Sequence, residues 1–101
     1  MQLYLDRLLP EDWDDKDKLD RRAWLSDDFG TAEGTVHRDT VCVAEVWNEC
    51  FKSDTERLSR QDSQAIAAIL RRTPGWIEEK GRQRCGIYGL QKRFRRVIVS
   101  L

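Results

Sequence analysis

Hydrophobic positions recur with a helical period in the middle of the chain. Val43, Val46, Trp47, Cys50 and Phe51 stand at i, i+3, i+4, i+7 and i+8, which is the spacing of one helix face. The positions between them supply a polar side made up of Glu45, Asn48 and Glu49. This pattern predicts an amphipathic helix with Trp47 and Phe51 in the core, preceded by a short strand over residues 40–42.

Two further helices are predicted on either side of this one. Ser59 and Asp62 have the spacing of a capping box, in which the serine hydroxyl accepts a free backbone N–H. The apolar face that follows consists of Ala65, Ile66, Ile69 and Leu70. A Pro-Gly pair ends this helix, which therefore covers residues 60–72. A weaker pattern predicts a helix over residues 15–25 and a loop over residues 29–38.

The last third of the chain has the pattern of a β-hairpin and a terminal strand. The hairpin is predicted to have strands over residues 76–79 and 82–87, with a turn at Lys80 and Gly81. A segment that is first basic and then β-branched, residues 91–99, predicts a further extended element.

This order of elements predicts an α+β, mostly helical fold. Two helices followed closely by a hairpin form the arrangement of a winged-helix module, a relative of the helix-turn-helix. We therefore expect an acidic helical N-terminal arm over residues 1–38 and a winged-helix-like domain over residues 39–101. In such a module the second helix, residues 60–72, enters the major groove, and the tip of the hairpin touches the flanking backbone. The predicted tip comprises Lys80, Gly81 and Arg82.

The length and the composition indicate a single folded domain. The chain has 101 residues, and its hydrophobic fraction of 40% is enough for a modest core. Its sequence contains no apolar run of about 18 residues that would span a membrane. Residues 1–7 also lack the apolar stretch of a signal peptide. We therefore expect a cytoplasmic protein without a membrane partner.

Charge is strongly segregated along the chain even though the net charge is zero. Residues 1–56 carry 15 acidic and 7 basic residues, a difference of −8. Residues 57–101 carry 3 acidic and 11 basic residues, a difference of +8. Such segregation predicts a positive face in the C-terminal half, whose partner is either a phosphate backbone or the protein's own acidic half.

Basic side chains dominate the predicted nucleic-acid interface. Those expected to bind phosphates, or else to form a solvated face, are Arg71, Arg72, Lys80, Arg82, Arg84, Lys92, Arg93, Arg95 and Arg96. Those on the first turn of the second helix, where side chains reach base edges, are Arg60, Gln61, Ser63 and Gln64. A module without sequence preference needs no base contacts, and Asp62 would repel phosphate unless capping holds it aside. Tyr88 and Phe94 alternate with basic residues and either stack on bases or lie in the core.

The sequence contains no recognisable catalytic or metal-binding arrangement. The cysteines, which are Cys42, Cys50 and Cys85, form no C-x-x-C pair. With His37 as the only histidine, they are a poor set of zinc ligands. Four aspartates near the arm helix, Asp12, Asp14, Asp15 and Asp17, are interpreted as a solvated helix start rather than an acid–base pair. We therefore expect no enzymatic activity, metal or cofactor in this chain.

Six short stretches distributed along the chain form an ordered set of motifs. They are LLPEDWD at residues 8–14, DRR-x-x-L at 20–25, VCVAEVW-x-E-C at 41–50, S-x-x-D-S-x-x-I-x-x-I-L at 59–70, PGW at 74–76 and YGLQ at 88–91. Together they resemble the C-terminal domain of the virulence-associated protein E family. The resemblance implies a prophage or mobile-element protein of DNA replication, of the primase–helicase type, with a P-loop ATPase domain. This chain has no G-x-x-x-x-G-K-[ST] motif, so it resembles only the C-terminal tail of such a protein.

Two functional hypotheses follow from these patterns. The first is a non-catalytic domain that binds single- or double-stranded DNA through a basic helix and wing, with the ATPase domain of the same parent protein as a second partner. The other is a protein-interaction module in which the acidic half of one copy meets the basic half of another, giving a homo-oligomer. Salt-sensitive self-association without DNA affinity would favour the second hypothesis.

Overall fold

The computed structural model describes residues 1–26 and 34–97. Over these residues the chain forms four helices and a three-stranded antiparallel sheet, which confirms the predicted α+β class. The helices are α1 (Gln2–Asp6), α2 (Lys18–Leu25), α3 (Val43–Glu49) and α4 (Arg60–Arg72). The strands are β1 (Thr40–Cys42), β2 (Trp76–Arg84) and β3 (Leu90–Arg96). None of these helices has the length and apolar character needed to cross a membrane.

The strand β3 lies in the middle of the sheet, with β1 and β2 paired antiparallel on its two sides. Phe94 of β3 stands opposite Val41 of β1 and Glu78 of β2. Because successive strand residues alternate between the two faces, Lys92 shares the face of Phe94 and Arg93 lies on the other. The face of Phe94 packs against the helices, so Lys92 stands on the helix side of the sheet.

The hairpin turn lies at residues 85–89, and the predicted turn at Lys80 and Gly81 is wrong. The strand β2 continues through these two residues, with a shift in its register against β3. Gly81 has a φ of +65°, a left-handed conformation that suits a glycine at an irregular point of a strand. The chain reverses instead through the 3₁₀ helix Gly86–Tyr88. The glycine that suggested a turn therefore forms a bulge.

One hydrophobic core joins α3, α4, the sheet and the N-terminal α1. Its fully buried members include Val46 of α3, Leu70 of α4 and Phe94 of β3. Tyr4 and Leu5 of α1 belong to the same cluster. Because Phe94 has no exposed surface, its interpretation as a core residue is confirmed and base stacking by it is excluded.

The predicted capping box begins α4. The Asp62 backbone N–H donates to Ser59 Oγ at 3.0 Å, and the Ser59 hydroxyl donates to Asp62 Oδ2 at 2.8 Å. These bonds hold the Asp62 carboxylate at the helix start. The helix buries Ile66 and Leu70, whereas Ile69, which was predicted on the same apolar face, is 46% exposed.

The helix α3 ends at Glu49, before the predicted apolar stripe does. Phe51 therefore lies beyond the helix and is 48% exposed, so its prediction as a core residue is wrong. Trp47 is half-buried, and its indole N–H donates to a backbone carbonyl at 2.8 Å. The polar side of α3 faces the interior, because Glu45, Asn48 and Glu49 are all buried.

The arm begins its helix later than the sequence pattern predicts. Asp17 caps α2 by accepting the Asp20 backbone N–H at 2.8 Å, so the helix starts at Lys18 rather than at residue 15. Trp13 packs edge to face against Trp24, with ring centroids 5.6 Å apart. This aromatic pair joins the two parts of the arm.

Two predicted segments extend beyond the described residues. The loop over residues 29–38 is described only from residue 34, and the terminal strand over residues 91–99 only as far as residue 97. Within the loop, the Leu9 backbone N–H donates to the Val36 carbonyl at 2.7 Å, and the Val36 N–H donates back at 2.9 Å. This bridge ties the start of the arm to the segment that leads into β1.

Candidate nucleic-acid interface

A groove of about 540 Å³ lies between α4 and the β2–β3 hairpin. Its apolar lining comes from Val43, Ala67 and Phe94. The predicted interface residues that it brings together are Ser63, Gln64, Arg71, Arg82 and Lys92. We call this surface the basic groove. Its lining brings together side chains that are distant in sequence, and most of the charged ones are cationic.

Two cations of the basic groove share one carboxylate. Arg71 Nε lies 2.8 Å from Glu78 Oε2, and Lys92 Nζ lies 3.1 Å from Glu78 Oε1. The hydrogen bond from Arg71, together with that from Lys92, lowers the pKa of Glu78 to about 2. The carboxylate therefore stays ionised at neutral pH. Since Arg82 also lines the groove, the cations outnumber the carboxylate and the net charge of the groove is positive.

Several of the basic side chains predicted at the nucleic-acid interface are exposed and form no ion pair within the described part of the chain. They are Arg60, Arg72, Lys80, Arg82, Arg84 and Arg95. The lining of the basic groove includes no residue from positions 1–26 or 34–38. Over the described residues, the acidic arm therefore leaves the groove uncovered.

Three other predicted residues of β3 lie outside the groove. Arg93 and Arg95 stand on the opposite face of the sheet, where Arg93 binds both oxygens of Glu79 at 3.1 and 2.9 Å. Arg96 donates to two backbone carbonyls of the arm at 2.7 Å each. Arg93 and Arg96 are therefore engaged in holding the fold together.

The four residues predicted to read base edges, on the first turn of α4, lie in two locations: the exposed helix start and the basic groove. Arg60 and Gln61 are exposed at the helix start and do not line the groove. Ser63 is partly buried, Gln64 is exposed, and both face the groove. The capping bonds keep the carboxylate of Asp62 on the Ser59 hydroxyl.

The turn of the hairpin is fixed to the body of the protein. The Tyr88 hydroxyl donates to Glu49 Oε2 at 2.7 Å and accepts from Asn48 Nδ2 at 2.9 Å. The Lys18 ammonium of α2 lies 5.7 Å from the centre of the Tyr88 ring. Trp76, at the start of β2, is buried in the core. The aromatic residues of the hairpin are thus used for packing and internal hydrogen bonds.

A second group of charged side chains, which the sequence did not predict, lies inside the molecule. Arg21 and Arg38 meet Glu45 and Glu49 of α3 with N–O distances of 3.1, 3.2, 3.3 and 3.4 Å. None of the four side chains is more than 8% exposed. We call them the buried charge cluster. Buried charges require partners, and here the positive and negative charges balance, so the cluster fastens the arm to α3.

Two phenols complete the hydrogen bonding of the buried charge cluster. The Tyr4 hydroxyl donates to Glu49 Oε1 at 2.8 Å, opposite the bond from Tyr88 to Oε2. Burial, reinforced by the neighbouring carboxylates, raises the pKa of both phenols, so they remain neutral donors. Burial also raises the pKa of Glu45 to about 7, against the opposing effect of Arg38. The sequence signal for this cluster was limited to Glu45 and Glu49, which stand one turn apart on the polar side of α3.

Two cysteines come together beside the buried charge cluster. The sulfur atoms of Cys42 and Cys85 and a carboxylate oxygen of Glu45 all lie within 4.8 Å of one another, and the three residues are buried. Cys85 Sγ is 3.8 Å from Glu45 Oε1. Thiolates and carboxylates are both ligands of zinc. This is the group of potential metal ligands found in residues 1–26 and 34–97.

A cavity of about 190 Å³ adjoins these groups, and its lining includes Trp13, Arg38, Glu45 and Cys85. Trp13 Nε1 and Arg38 Nε are buried donors that have no hydrogen-bond partner in the described residues. Buried donors are normally satisfied by protein or by ordered water. The cavity therefore suits a polar occupant that accepts hydrogen bonds.

The chemistry of the two sites differs. The basic groove offers cations and three polar side chains, Ser63, Gln64 and Gln91, which suit an extended anion. The interior offers paired charges, two thiols and a small polar cavity, which suit a single ion or a small molecule.

The chain matches no model of a known protein family, and a comparison with curated proteins finds no match.

Proposed function

We propose that this chain is a non-catalytic DNA-binding domain whose basic groove contacts the phosphate backbone. The observation that carries the proposal is the uncovered groove between α4 and the hairpin, with Arg71, Arg82 and Lys92 in its lining. Phosphate contacts by arginine and lysine supply most of the sequence-independent affinity for DNA. Ser63 and Gln64 add polar groups that bind phosphates or base edges.

The order of the elements supports a winged-helix-like mode of binding. The strand β1 precedes α3 and α4, and the β2–β3 hairpin follows, with β3 between β1 and β2. In this interpretation α4 is the recognition helix and the hairpin is the wing. The turn at residues 85–89 is held by Tyr88 against α3, so we propose contact through the side of the wing, where Lys80, Arg82 and Arg84 are exposed.

The resemblance to virulence-associated protein E suggests the setting for this activity. In that setting the domain belongs to a cytoplasmic replication protein of a phage or mobile element, of the helicase–primase type. Its task would be to hold single- or double-stranded DNA near the P-loop ATPase domain of the same parent protein. The positive charge of the groove supports such a role without requiring sequence preference.

Fluorescence anisotropy with labelled single- and double-stranded DNA at low salt tests the proposal. The variant Arg82→Glu with Arg84→Glu reverses two exposed charges of the wing and should weaken binding about tenfold or more. A matched control, Lys52→Glu with Arg57→Glu, makes the same change in net charge at two exposed positions outside the groove and should have a much smaller effect. Equal losses in both variants, or no binding by the wild type below high micromolar concentration, would overturn it.

A protein-interaction function is a second candidate that one observation favours. The acidic side chains of the arm are exposed while the basic groove is uncovered, so complementary surfaces are presented by the same molecule. The exposed acids include Glu11, Asp12, Asp14, Asp15, Asp17 and Asp20. Sedimentation at low and high salt distinguishes the candidates, since an oligomer that dissociates with salt and lacks DNA affinity supports this one.

A further inference from the structure

We propose that Cys42, Glu45 and Cys85 bind a single zinc ion, with its fourth coordination position supplied by water from the adjoining cavity. The three ligand atoms lie within 4.8 Å of one another. The sequence separation of the two cysteines hides this grouping, and only the pairing of the hairpin with β1 brings them together. The proposal is independent of DNA binding because none of the three residues lines the basic groove.

The distances fit a compact metal site. Tetrahedral zinc with Zn–S near 2.3 Å and Zn–O near 2.1 Å places a sulfur and an oxygen ligand about 3.6 Å apart. The distance from Cys85 Sγ to Glu45 Oε1 is 3.8 Å, which needs almost no adjustment. Cys42 immediately precedes α3, whose first turn carries Glu45, so the second cysteine lies beside the same carboxylate.

The two oxygens of Glu45 are used differently. Oε2 accepts a hydrogen bond from Arg21 Nη1 at 3.4 Å and forms an ion pair with Arg38 Nη1 at 3.1 Å. Oε1 is the oxygen that faces Cys85. A ligand carboxylate that is oriented through its other oxygen by hydrogen-bonded partners is common around protein-bound metals. The arginines therefore position Oε1 for an ion without occupying it.

Charge balance favours the replacement of two protons by one divalent ion. The buried charge cluster is neutral when both glutamates are ionised, and the two thiols are neutral when protonated. Binding Zn²⁺ to the two thiolates releases one proton from each sulfur, so that the total charge of the buried region is unchanged. The ion thus enters without creating an unpaired buried charge.

The fourth position opens towards the cavity, because Glu45 and Cys85 belong to its lining. A volume of about 190 Å³ accommodates water, and Trp13 Nε1 and Arg38 Nε provide buried donors that lack partners in the described residues. The remaining lone pair of a metal-bound water, or the oxygen of a metal-bound hydroxide, can accept a hydrogen bond from such a donor. A site with one water ligand is the open type of zinc coordination.

The experiment is a metal titration of the reduced, metal-free protein with Co²⁺ and then Zn²⁺. We expect one Co²⁺ per chain, a thiolate-to-cobalt charge-transfer band that Zn²⁺ abolishes, and two protons released per ion in weak buffer at about pH 8.5, where the Glu45 carboxyl is already ionised. Native mass spectrometry should show one zinc with the loss of two protons. Cys42→Ser and Cys85→Ser should each lose the band, whereas Cys50→Ser should keep it, because Cys50 lies outside the cluster.

The charge-transfer band and the proton release are measured on the wild-type chain, so they test the proposal even when a serine variant fails to fold. No charge-transfer band with the folded wild type at 100 μM Co²⁺, or release of no protons, would overturn it. A band that persists in a folded Cys85→Ser variant, or that disappears in Cys50→Ser, would also contradict the assignment.

Discussion

The basic groove and the buried charge cluster are built from the same kinds of side chain and serve opposite purposes. In the groove, Arg71 and Lys92 share Glu78 at the surface, while Arg82 has no acidic partner within the described residues. In the cluster, every arginine faces two glutamates and water is largely excluded. Charge alone therefore does not indicate function. Exposure and pairing decide which cations are available to a ligand.

The comparison also explains why the acidic arm does not neutralise the basic half. Two arginines of the arm region, Arg21 and Arg38, turn inward and consume the carboxylates of α3. The arm is thereby held on α3 and the hairpin turn, and none of its described residues lines the groove. The charges that are segregated along the sequence are therefore distributed differently in the fold. Arg21 and Arg38 pair with Glu45 and Glu49 inside the molecule, and the basic groove remains as an exposed positive surface.

The largest expected effect comes from breaking the buried charge cluster. Arg21→Ala leaves Glu45 and Glu49 short of a buried partner, and we expect it to lower the free energy of unfolding by about 3–5 kcal/mol. Urea unfolding followed by circular dichroism measures this. Arg57→Ala, which removes an exposed arginine, is the control and should cost less than about 0.5 kcal/mol. Similar costs for the two variants would show that the cluster does not stabilise the fold.

The second effect concerns the groove and affects binding rather than stability. For Arg82→Ala with Lys92→Ala, we expect the slope of log affinity against log salt to fall by about 2 in magnitude, because two phosphate contacts are lost. The unfolding midpoint should stay close to that of the wild type. An unchanged salt slope would remove these side chains from the interface.

A smaller effect is expected at the hairpin turn. Tyr88→Phe deletes the bond to Glu49 and leaves a partly unsatisfied buried carboxylate, which should cost about 1–3 kcal/mol of stability. DNA affinity should not change, because the ring remains in place for packing. Weaker binding to single-stranded DNA by the folded variant would instead indicate that Tyr88 contacts nucleic acid.

The smallest effect tests Glu78, the carboxylate that pairs with Arg71 and Lys92 of the groove. Glu78→Gln removes the negative charge shared by Arg71 and Lys92, so DNA should bind a few-fold more tightly. In the wild type the pKa of Glu78 is lowered to about 2 in the folded state. Its contribution to stability is therefore present above its ordinary pKa and lost as the pH falls towards 2. Acid unfolding that is identical in wild type and Glu78→Gln would contradict this assignment.

The parts of the fold that were predictable depend on local chemistry. The capping box of Ser59 and Asp62 was predicted correctly because its bonds join residues three apart. The α+β class followed from the alternation of helical and extended patterns. The turn at Lys80 and Gly81 was wrong because a glycine with positive φ serves a bulge as well as a turn.

The buried groups were not predictable because their partners are remote in sequence. The side of α3 that carries Glu45 and Glu49 has the pattern of a solvent-facing surface until Arg21 and Arg38 fold onto it. The same holds for Cys85, whose sulfur reaches Glu45 only after the hairpin turn is placed. In the basic groove the cations were predicted individually, but which of them share one surface is set by strand register.

Titration of isotopically labelled protein with a short DNA duplex, followed by backbone amide NMR spectra, tests the central proposal most directly. The proposal predicts that the largest shifts occur at Ser63, Gln64, Arg82 and Lys92, with little change at Asp14 and Arg21. Shifts confined to the arm, or no shifts at low salt, would contradict the assignment of the basic groove as the DNA-binding surface.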